Sequence, residues 1–348
     1  MAQAARSGRQ NIAEGSMAPA TSKKRRKIRR QREGDANERE MNRFAEKLAR
    51  GLFDDERERA RFLERLREGK ARRLVRIAAL DAESRSGERN LPDWAPRFVN
   101  LAEAESGARE MCRGAGAGYL LDLSSVWEAS PLTDLHPAPR RTLDLCAAPG
   151  GKSAFCRRLW PEGELFVNEV VPRRLRVLRA NLQRFGAGEA YAQRWTAEEW
   201  RGRAAGAFDL VLVDAPCSGQ ALVAKGIRNP GAFHPAAIRG SARRQRRILG
   251  AVADCVAPGG WLLYTTCTFS PEENEKTVEW MLGRVGGMAA EEVPKLRAFQ
   301  VDEASFPCYR LYPQQGFGAG GFCCLLRREG ERSAELPELN PAARAFPL

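Results

Sequence analysis

The sequence is poor in the residues that build metal sites and disulfide frameworks. It contains two histidines, His136 and His234, and its nine cysteines include no Cys-x-x-Cys pair. The ligand spacing of a structural zinc site is therefore missing. An odd number of widely scattered cysteines does not form a disulfide framework, which favours a reducing compartment. We expect no metal and no structural disulfide.

Long apolar runs are missing as well. No run approaches the length of a membrane span, and the start lacks the basic-then-apolar order of a secretory signal. We therefore expect no membrane partner and a cytoplasmic location, with the nucleolus or the mitochondrion as the alternative if the source is eukaryotic. The sequence also predicts a monomer.

Positive charge is in excess. The 57 Lys and Arg residues outnumber the 44 Asp and Glu residues, which gives a formal net charge of +13. Such a protein concentrates polyanions near its surface, so RNA or DNA is the first partner to consider. An arginine-rich and alanine-rich composition without a specific use explains the charge equally well.

The two ends of the chain differ in composition from its centre. Residues 1–36 carry a basic block at 23–30 whose density of like charge predicts a disordered basic arm. Residues 37–115 are predicted to be a helical N-terminal region, since apolar residues recur at helical spacing after Met41. The arginines of this region either contact RNA or form a solvated helix face. Residues 331–348 are predicted to be a C-terminal tail.

Residues 116–330 alternate short apolar runs with amphipathic stretches. This order is typical of an α/β fold in which helices cover both faces of a mostly parallel sheet. The predicted strands are Thr142–Leu145, Leu165–Asn168, Leu210–Val213, Trp261–Thr265, Tyr309–Tyr312 and Gly321–Leu326. The predicted helices are Ser153–Trp160, Pro172–Phe185, Ser241–Val256 and Glu272–Leu282.

A turn of small residues follows the first predicted strand of this domain. It consists of Cys146, Ala147, Ala148, Pro149, Gly150, Gly151 and Lys152. Glycines let a ligand approach the backbone, and the helix that follows offers free N–H groups. Glu169 ends the second predicted strand, where a carboxylate can accept hydrogen bonds from both hydroxyls of a ribose. Either feature alone is ordinary, but the two in register favour a nucleoside cofactor.

Two cysteines follow two other predicted strands. Cys217 lies in the segment Asp214–Gly219, and Cys267 lies in Tyr264–Thr268. An isolated cysteine is more often an inert buried side chain, which is our interpretation of Cys156, Cys255, Cys323 and Cys324. Two cysteines at the same edge of one sheet instead indicate thiol chemistry in which one attacks and the other helps to end the reaction.

Three of these segments together resemble the signature blocks of the RsmB/NOP-type (NOP/Sun) RNA cytosine-5 methyltransferases. They are Asp144–Lys152, Asp214–Gly219 and Tyr264–Glu275, and the resemblance extends from Gly118 to Arg328. It implies a Rossmann-like methyltransferase sheet whose last strand is antiparallel, so that 116–330 is a catalytic domain. It further implies that the chain uses S-adenosylmethionine to methylate carbon-5 of a cytidine in structured RNA (rRNA or tRNA) through a covalent cysteine adduct.

The resemblance also implies roles for single residues. The cysteine of the Thr-Cys block is the family's nucleophile, which assigns that role to Cys267. Cys217 is implied in product release, and Asp214 in holding the cytosine ring close to the methyl donor. Lys152 is implied in reaching the target nucleotide and in capping the cofactor turn. The implied cofactor residues are Cys146, Ala147, Ala148, Pro149, Gly150, Gly151, Lys152, Glu169 and Asp214.

Other interpretations stay open at the level of sequence. DNA cytosine methyltransferases use a Pro-Cys pair like the one at Cys217, and a non-catalytic RNA-binding assembly factor is a further alternative. Thr196 stands where the family usually has an adenine-contacting aspartate, and Glu198 or Glu199 could replace it. The basic segment Lys225–Arg247 either lines an RNA channel or is a solvated helix face.

Overall fold

The computed structural model describes residues 38–78, 80, 90–102 and 118–348. The basic arm predicted for 1–36 lies outside the described residues. The described part opens with two helices in the region predicted to be helical, α1 over 38–52 and α2 over Glu56–Glu68. Asp55 caps α2 by accepting a hydrogen bond from the backbone N–H of Arg57, and Gly69 ends the helix with a left-handed backbone.

A small antiparallel sheet follows these helices, and the prediction of a helical region over 37–115 did not include it. Its strands are β1 (Leu74–Ile77), β2 (Val99–Leu101) and β3 (Tyr119–Asp122), in the order β2-β1-β3. Each strand has only three or four residues, and its partners lie far away in the chain. Strands of this kind are stabilised by non-local pairing, which leaves little signal in the local sequence.

Among the described residues, eight further strands form the main sheet. They are β4 (Arg141–Asp144), β5 (Glu164–Asn168), β6 (Ala190–Gln193), β7 (Phe208–Asp214), β8 (Val256–Thr266), β9 (Met288–Ala290), β10 (Tyr309–Leu311) and β11 (Gly321–Arg328). The order is β10-β11-β8-β7-β4-β5-β6, with β9 beside β11. Strands β4 to β8 pair in parallel and β11 pairs antiparallel to β8. The predicted Rossmann-like α/β sheet with an antiparallel last strand is confirmed.

Helices connect the strands and cover both faces of the sheet. They are α3 (Leu123–Ala129), α4 (Gly151–Leu159), α5 (Pro172–Phe185), α6 (Ala197–Arg203), α7 (Gln220–Ala224), α8 (Pro235–Val252) and α9 (Glu275–Arg284). Helix α8 begins six residues before its predicted start at Ser241, because Pro235 occupies the first turn and the side chain of His234 caps it. Along β7, Leu210 and Leu212 pack into the core on one face of the sheet, whereas Val211 and Val213 pack into the core on the other.

The segment predicted to be a C-terminal tail packs against the edge strand β6. The side chain of Gln193 donates hydrogen bonds to the carbonyl oxygens of Ala342 and Ala343 at 2.7 and 3.0 Å. The backbone N–H of Leu348 donates to the carbonyl of Ala190 at 2.8 Å. This contact covers an edge that would otherwise offer unpaired backbone groups. Within the described part of the chain, no helix combines the length and the apolar character that a membrane crossing needs.

Candidate active site

The carboxyl ends of the parallel strands β4, β7 and β8 meet at one edge of the sheet. Asp214 is the last residue of β7, and Cys267 comes directly after β8. The structure brings Cys217 to the same place, with its Sγ 3.2 Å from the Sγ of Cys267. Both cysteine residues are partly exposed. The sequence prediction that these two thiols meet at one sheet edge therefore agrees with the geometry.

The loop that carries Cys267 is fixed by buried polar contacts. The hydroxyl of Thr266 donates to Oδ1 of Asn274 at 2.6 Å, and Nδ2 of Asn274 donates to the carbonyl of Thr268 at 3.0 Å. The backbone N–H of Ala221 donates to the carbonyl of Cys267 itself at 3.0 Å. Asn274 thus binds the residues on both sides of the cysteine, through the side chain of Thr266 and the backbone of Thr268, a role that no sequence signal singled out.

A buried carboxylate, Glu273, holds the loop that carries Cys217. Its Oε2 accepts hydrogen bonds from the backbone N–H of Ser218 at 2.8 Å and from Nε2 of Gln245 at 3.0 Å. The hydroxyls of Ser218 and Thr268 lie 2.9 Å apart and connect the two cysteine loops. Burial raises the pKa of Glu273, and these donors oppose the shift. Glu273 lies inside the Tyr264–Glu275 block, but the sequence did not reveal its partners.

The thiol of Cys217 is held in its neutral form. Its contact with Cys267 and its burial raise its pKa well above the ordinary value for a cysteine. A thiol that resists ionisation can donate its S–H to a neighbouring thiolate. The two sulfur atoms are within hydrogen-bond distance, and either of them can be the donor.

Lys152 lies between two carboxylates. Its Nζ is 2.9 Å from Oδ2 of Asp214 and 2.6 Å from Oε2 of Glu128. Burial alone lowers the pKa of Lys152, but the two carboxylates outweigh this effect and raise it, so the side chain is an ammonium. Oδ1 of Asp214 accepts a hydrogen bond from the hydroxyl of Thr265 at 3.0 Å. Sequence reasoning identified Lys152 and Asp214 but missed Glu128.

The predicted cofactor turn joins β4 to the N-terminus of α4. Gly150 has a φ of +114°, and a side chain there would also press on Leu178. The carbonyl of Pro149 accepts hydrogen bonds from the hydroxyl of Tyr119 at 2.9 Å and from Nδ2 of Asn181 at 2.8 Å. No side chain caps the start of α4, so none accepts a hydrogen bond from the first backbone N–H groups of this helix.

Asp144 contributes an unsatisfied acceptor just before this turn. The side chain is fully buried, and its Oδ2 accepts a hydrogen bond from the hydroxyl of Ser153 at 2.6 Å. Its Oδ1 has no hydrogen-bond partner. Burial raises the pKa of Asp144 to about 7. A buried carboxylate oxygen without a partner suits a ligand that brings a hydrogen-bond donor.

Glu169 lies beside the turn, directly after β5. Its Oε1 accepts a hydrogen bond from the backbone N–H of Val171 at 2.9 Å, and its Oε2 is 2.8 Å from Nη1 of Arg174. Arg174 also donates to the carbonyl of Ala148 at 2.8 Å, so it connects the acid to the turn. Val170 and Val171 are both more than 40% exposed and form an apolar surface next to the carboxylate.

Thr196, Glu198 and Glu199 are the candidates for the place of an adenine-contacting aspartate. Their side chains bind other residues of the protein. Thr196 and Glu199 form a capping box at the start of α6, in which each side chain accepts from the other residue's backbone N–H. Oε1 of Glu198 is 3.3 Å from Nε of Arg247 on α8. Each side chain therefore has a partner within the protein.

The basic segment Lys225–Arg247 divides into buried and exposed parts. Nζ of Lys225 lies 3.8 Å from the buried carboxylate of Asp122, and the side chain of this lysine is partly buried. On α8, the residues Ser241, Ala242, Gln245 and Leu249 are buried, whereas Arg239, Arg243, Arg244 and Arg247 are exposed. Across the described residues, no group of three or more His, Cys, Asp or Glu side chains could hold a metal ion.

Comparison with known families gives a match to the central part of the chain. A family model described as 16S rRNA methyltransferase RsmB/F matches residues 133–327, more than half of the chain. The ribosomal RNA small subunit methyltransferase F of Cronobacter sakazakii is 33% identical over 244 residues, which cover 67% of this chain and 49% of that protein. The protein of the same name from Klebsiella pneumoniae is 33% identical over 171 residues, which cover 49% of this chain and 36% of that protein. The chain spans about half or less of the length of these relatives.

Solved structures share the fold. A methyltransferase homolog protein from Pyrococcus horikoshii superposes with a TM-score of 0.62 at 23% identity and covers 78% of this chain and 90% of its own. NSun6 from Pyrococcus horikoshii with SFG superposes with a TM-score of 0.62 at 20% identity and covers 82% of this chain and 98% of its own. These similarities establish the fold that surrounds the candidate site.

Proposed function

Because the chain belongs to the 16S rRNA methyltransferase RsmB/F family, we propose that it methylates carbon-5 of a cytidine in structured RNA, with S-adenosylmethionine as the methyl donor. Ribosomal RNA is the favoured substrate, since the matched bacterial relatives are named as ribosomal RNA methyltransferases. Their bacterial origin also favours a cytoplasmic location. A DNA cytosine methyltransferase does not need the Thr-Cys block that contains Cys267. A non-catalytic assembly factor leaves the paired thiols unexplained.

The observation that carries this proposal is the thiol pair beside the Lys152–Asp214 ion pair. Sγ of Cys267 is 3.2 Å from Sγ of Cys217, and Nζ of Lys152 is 2.9 Å from Oδ2 of Asp214. Carbon-5 of cytosine is a poor nucleophile until a thiolate adds to carbon-6. The chemistry therefore needs a thiolate and a proton donor for ring nitrogen-3 at the same place, and this sheet edge offers both.

The residues around the turn fit S-adenosylmethionine. The unpartnered Oδ1 of Asp144 suits the ammonium group of its methionine part, and Glu169 suits its ribose hydroxyls. The exposed side chains of Val170 and Val171 offer an apolar surface to the adenine ring. When bound there, the cofactor supplies a methyl group that is activated by its positive sulfur.

The protein's own groups account for the remaining steps. The Cys267 thiolate, stabilised by the S–H of Cys217, adds to carbon-6 while a proton from solvent passes to nitrogen-3 through the carboxyl group of Asp214. The ring becomes an enamine, and carbon-5 takes the methyl group. Loss of the carbon-5 proton to solvent then expels Cys267 as a thiolate, and the nitrogen-3 proton returns to Asp214. The S–H of Cys217 again stabilises the leaving thiolate, which is how it promotes release.

Transfer of a labelled methyl group to ribosomal RNA tests this function. The purified protein, labelled S-adenosylmethionine and unmodified 16S rRNA are incubated, and the RNA is digested to nucleosides. We expect the label in 5-methylcytidine. Label in a different nucleoside, or label in DNA but not in RNA, contradicts the proposal. Bisulfite sequencing of cellular RNA with and without the gene then locates the cytidine.

Glu169→Gln is expected to weaken the binding of S-adenosylmethionine. The change keeps the size of the side chain and removes the charge that strengthens hydrogen bonds to the ribose. The loss of one such bond is worth roughly 1.5–3 kcal/mol, which is about 10- to 100-fold in Kd. Calorimetric titration of the cofactor measures the change. The control is Glu162→Gln, an exposed acid before the opposite end of β5. Equal Kd values for the two variants would mean that Glu169 does not bind the cofactor.

The double variant Arg243→Gln and Arg244→Gln is expected to bind RNA more weakly. Its RNA affinity is also expected to depend less on the salt concentration. Both arginines lie on the exposed side of α8, whose buried side supports the Cys217 loop through Gln245. Each lost phosphate contact lowers the slope of log K against log salt by about 1. Filter binding at several salt concentrations measures the slope. The matched control removes two exposed arginines from α5, Arg173 and Arg176. An unchanged slope in the α8 variant would mean that these arginines form a solvated helix face and do not contact RNA.

A further inference from the structure

Glu128 lies behind the ion pair of Lys152 and Asp214 and is almost fully shielded from solvent. Its side chain is 4% exposed and that of Lys152 is 6% exposed, whereas that of Asp214 is 39% exposed. The three groups therefore form a line from the interior to the surface, with the ammonium of Lys152 in the middle. Only Asp214 is open to a nucleotide that arrives at the sheet edge.

The surrounding structure makes room for Glu128 in this position. It is the sixth residue of α3, a short helix capped by Asp122, whose carboxylate accepts from the backbone N–H of Ser124. On the opposite side, Gly321 begins β11, and a Cβ at this position would overlap with Oε1 of Glu128. The absence of a side chain on Gly321 leaves the space that the carboxylate of Glu128 occupies. The packing of β11 therefore accommodates Glu128 in this position.

A buried ammonium needs a carboxylate at every stage of a reaction. Removing the partner of a buried charge is strongly destabilising, because the charge is left without compensation. In the proposed mechanism Asp214 carries a proton before it gives that proton to the base, and in this form it cannot neutralise Lys152. A second carboxylate that never contacts the base solves this problem, because Lys152 keeps a partner while Asp214 changes its charge.

We propose that Glu128 is a positioning residue: it holds Lys152 from behind as a second counter-ion, so that Asp214 is free to exchange a proton with the target base. The inference rests on the proposed function, since it assigns Asp214 the proton transfer described there. Glu128 acts through Lys152 and does not contact the RNA.

The ionisation of Glu128 makes this role dependent on pH. Burial raises the pKa of Glu128 to about 7; the ammonium of Lys152 and that of Lys225 oppose the shift, and Asp214 adds to it. These groups come from α4, from the segment after α7 and from β7, and Cys323 faces Glu128 from β11. Glu128 is therefore ionised above neutral pH and becomes protonated as the pH falls through about 7.

Glu128→Gln tests the inference. We expect kcat for methyl transfer to fall on the order of 10- to 100-fold, because Asp214 must then serve as the only counter-ion of Lys152. KM for RNA and Kd for S-adenosylmethionine stay unchanged, since neither ligand contacts Glu128. As the pH falls from about 8 to about 6, Glu128 becomes protonated and kcat of the wild-type protein falls. The kcat of the variant falls less over this range, because glutamine does not titrate. A kcat equal to that of the wild type overturns the inference.

Two further variants separate positioning from stability. Asp209→Asn removes another buried acid, which pairs with Arg140 and Arg332 near the start of β7, away from the site. It is expected to lower the unfolding temperature and to leave kcat per folded molecule unchanged. Glu128→Asp keeps the charge in a smaller side chain but withdraws it from Lys152. It is expected to reduce kcat like the glutamine variant, and full activity of this variant also overturns the inference.

A double-mutant cycle tests the ion pair without any RNA. The unfolding midpoints of Glu128→Gln, Lys152→Met and the double variant are compared in denaturant. If Glu128 neutralises Lys152, the double variant loses less stability than the two single variants together. Additive losses overturn the inference. A wild-type protein that transfers no methyl group refutes the proposed function, and the cycle still decides whether Glu128 holds Lys152.

Discussion

Cys267→Ala is expected to abolish methyl transfer to RNA, with a loss on the order of 10⁴-fold or more, as is typical when a covalent nucleophile is removed. Without the sulfur nothing adds to carbon-6, and carbon-5 stays too electron-poor to accept a methyl group. The change removes a partly exposed side chain at the end of β8. The Asn274 contacts to Thr266 and Thr268 keep the loop in place. Single-turnover transfer of a labelled methyl group measures the effect.

Binding measurements provide the control for this variant. Kd for S-adenosylmethionine and the unfolding temperature are expected to equal the wild-type values, since no cofactor residue changes. Cys255→Ala is the matched control, because it removes a buried thiol from the short helical turn before β8. It is expected to retain methyl transfer. Substantial activity of Cys267→Ala, with Cys255→Ala as the reference, would mean that a different group attacks the base.

Cys217→Ala is expected to leave RNA covalently attached to the protein. Attack by Cys267 still occurs, but the leaving thiolate has lost the S–H donor that lay 3.2 Å away. Its expulsion from carbon-6 therefore slows and the methylated adduct accumulates. A denaturing gel shows the adduct as a shifted band that contains both labelled RNA and protein.

The double variant supplies the control for the trapped species. Cys217→Ala combined with Cys267→Ala is expected to form no adduct, because the attacking sulfur is absent. Cys217→Ser keeps a hydroxyl donor and is expected to trap less RNA than Cys217→Ala. If Cys217→Ala forms no adduct while Cys267 is intact and methyl transfer continues, Cys217 has no part in release.

The sequence predicted those parts of the site that follow from strand ends. Asp214, Cys217 and Cys267 each follow an apolar strand, and neighbouring parallel strands end at the same edge, so their meeting could be expected. The cofactor turn and Glu169 could be expected for the same reason.

Other parts of the site arise from packing between distant segments. Glu128 lies on a seven-residue helix without a distinctive pattern, and its contact with Lys152 exists only because α3 packs on α4. Gln245 reaches Glu273 from α8 across 28 residues of sequence. Such contacts depend on tertiary structure, and a single sequence contains no local signal for them.

Some strands of the fold likewise depend on contacts between distant segments. The long apolar strand β8 was predictable, and so were the short strands β4 and β10. Strands β6 and β9 and the small sheet of β1, β2 and β3 were not predicted, because they depend on their pairing partners. Thr196 stands where the resembled family usually has an adenine-contacting aspartate. A threonine followed three residues later by glutamate is also the signature of a helix cap, and Thr196 and Glu199 form such a cap.

The most direct test of the account uses RNA in which cytidine is replaced by 5-fluorocytidine. Fluorine at carbon-5 cannot leave as a proton, so the wild-type protein stops as an adduct after methyl transfer. Protease digestion and mass spectrometry then identify the peptide that carries the nucleotide. We expect a single modified residue, Cys267, with Cys217 unmodified. A nucleotide attached to Cys217, or an adduct that forms equally in Cys267→Ala, would contradict it.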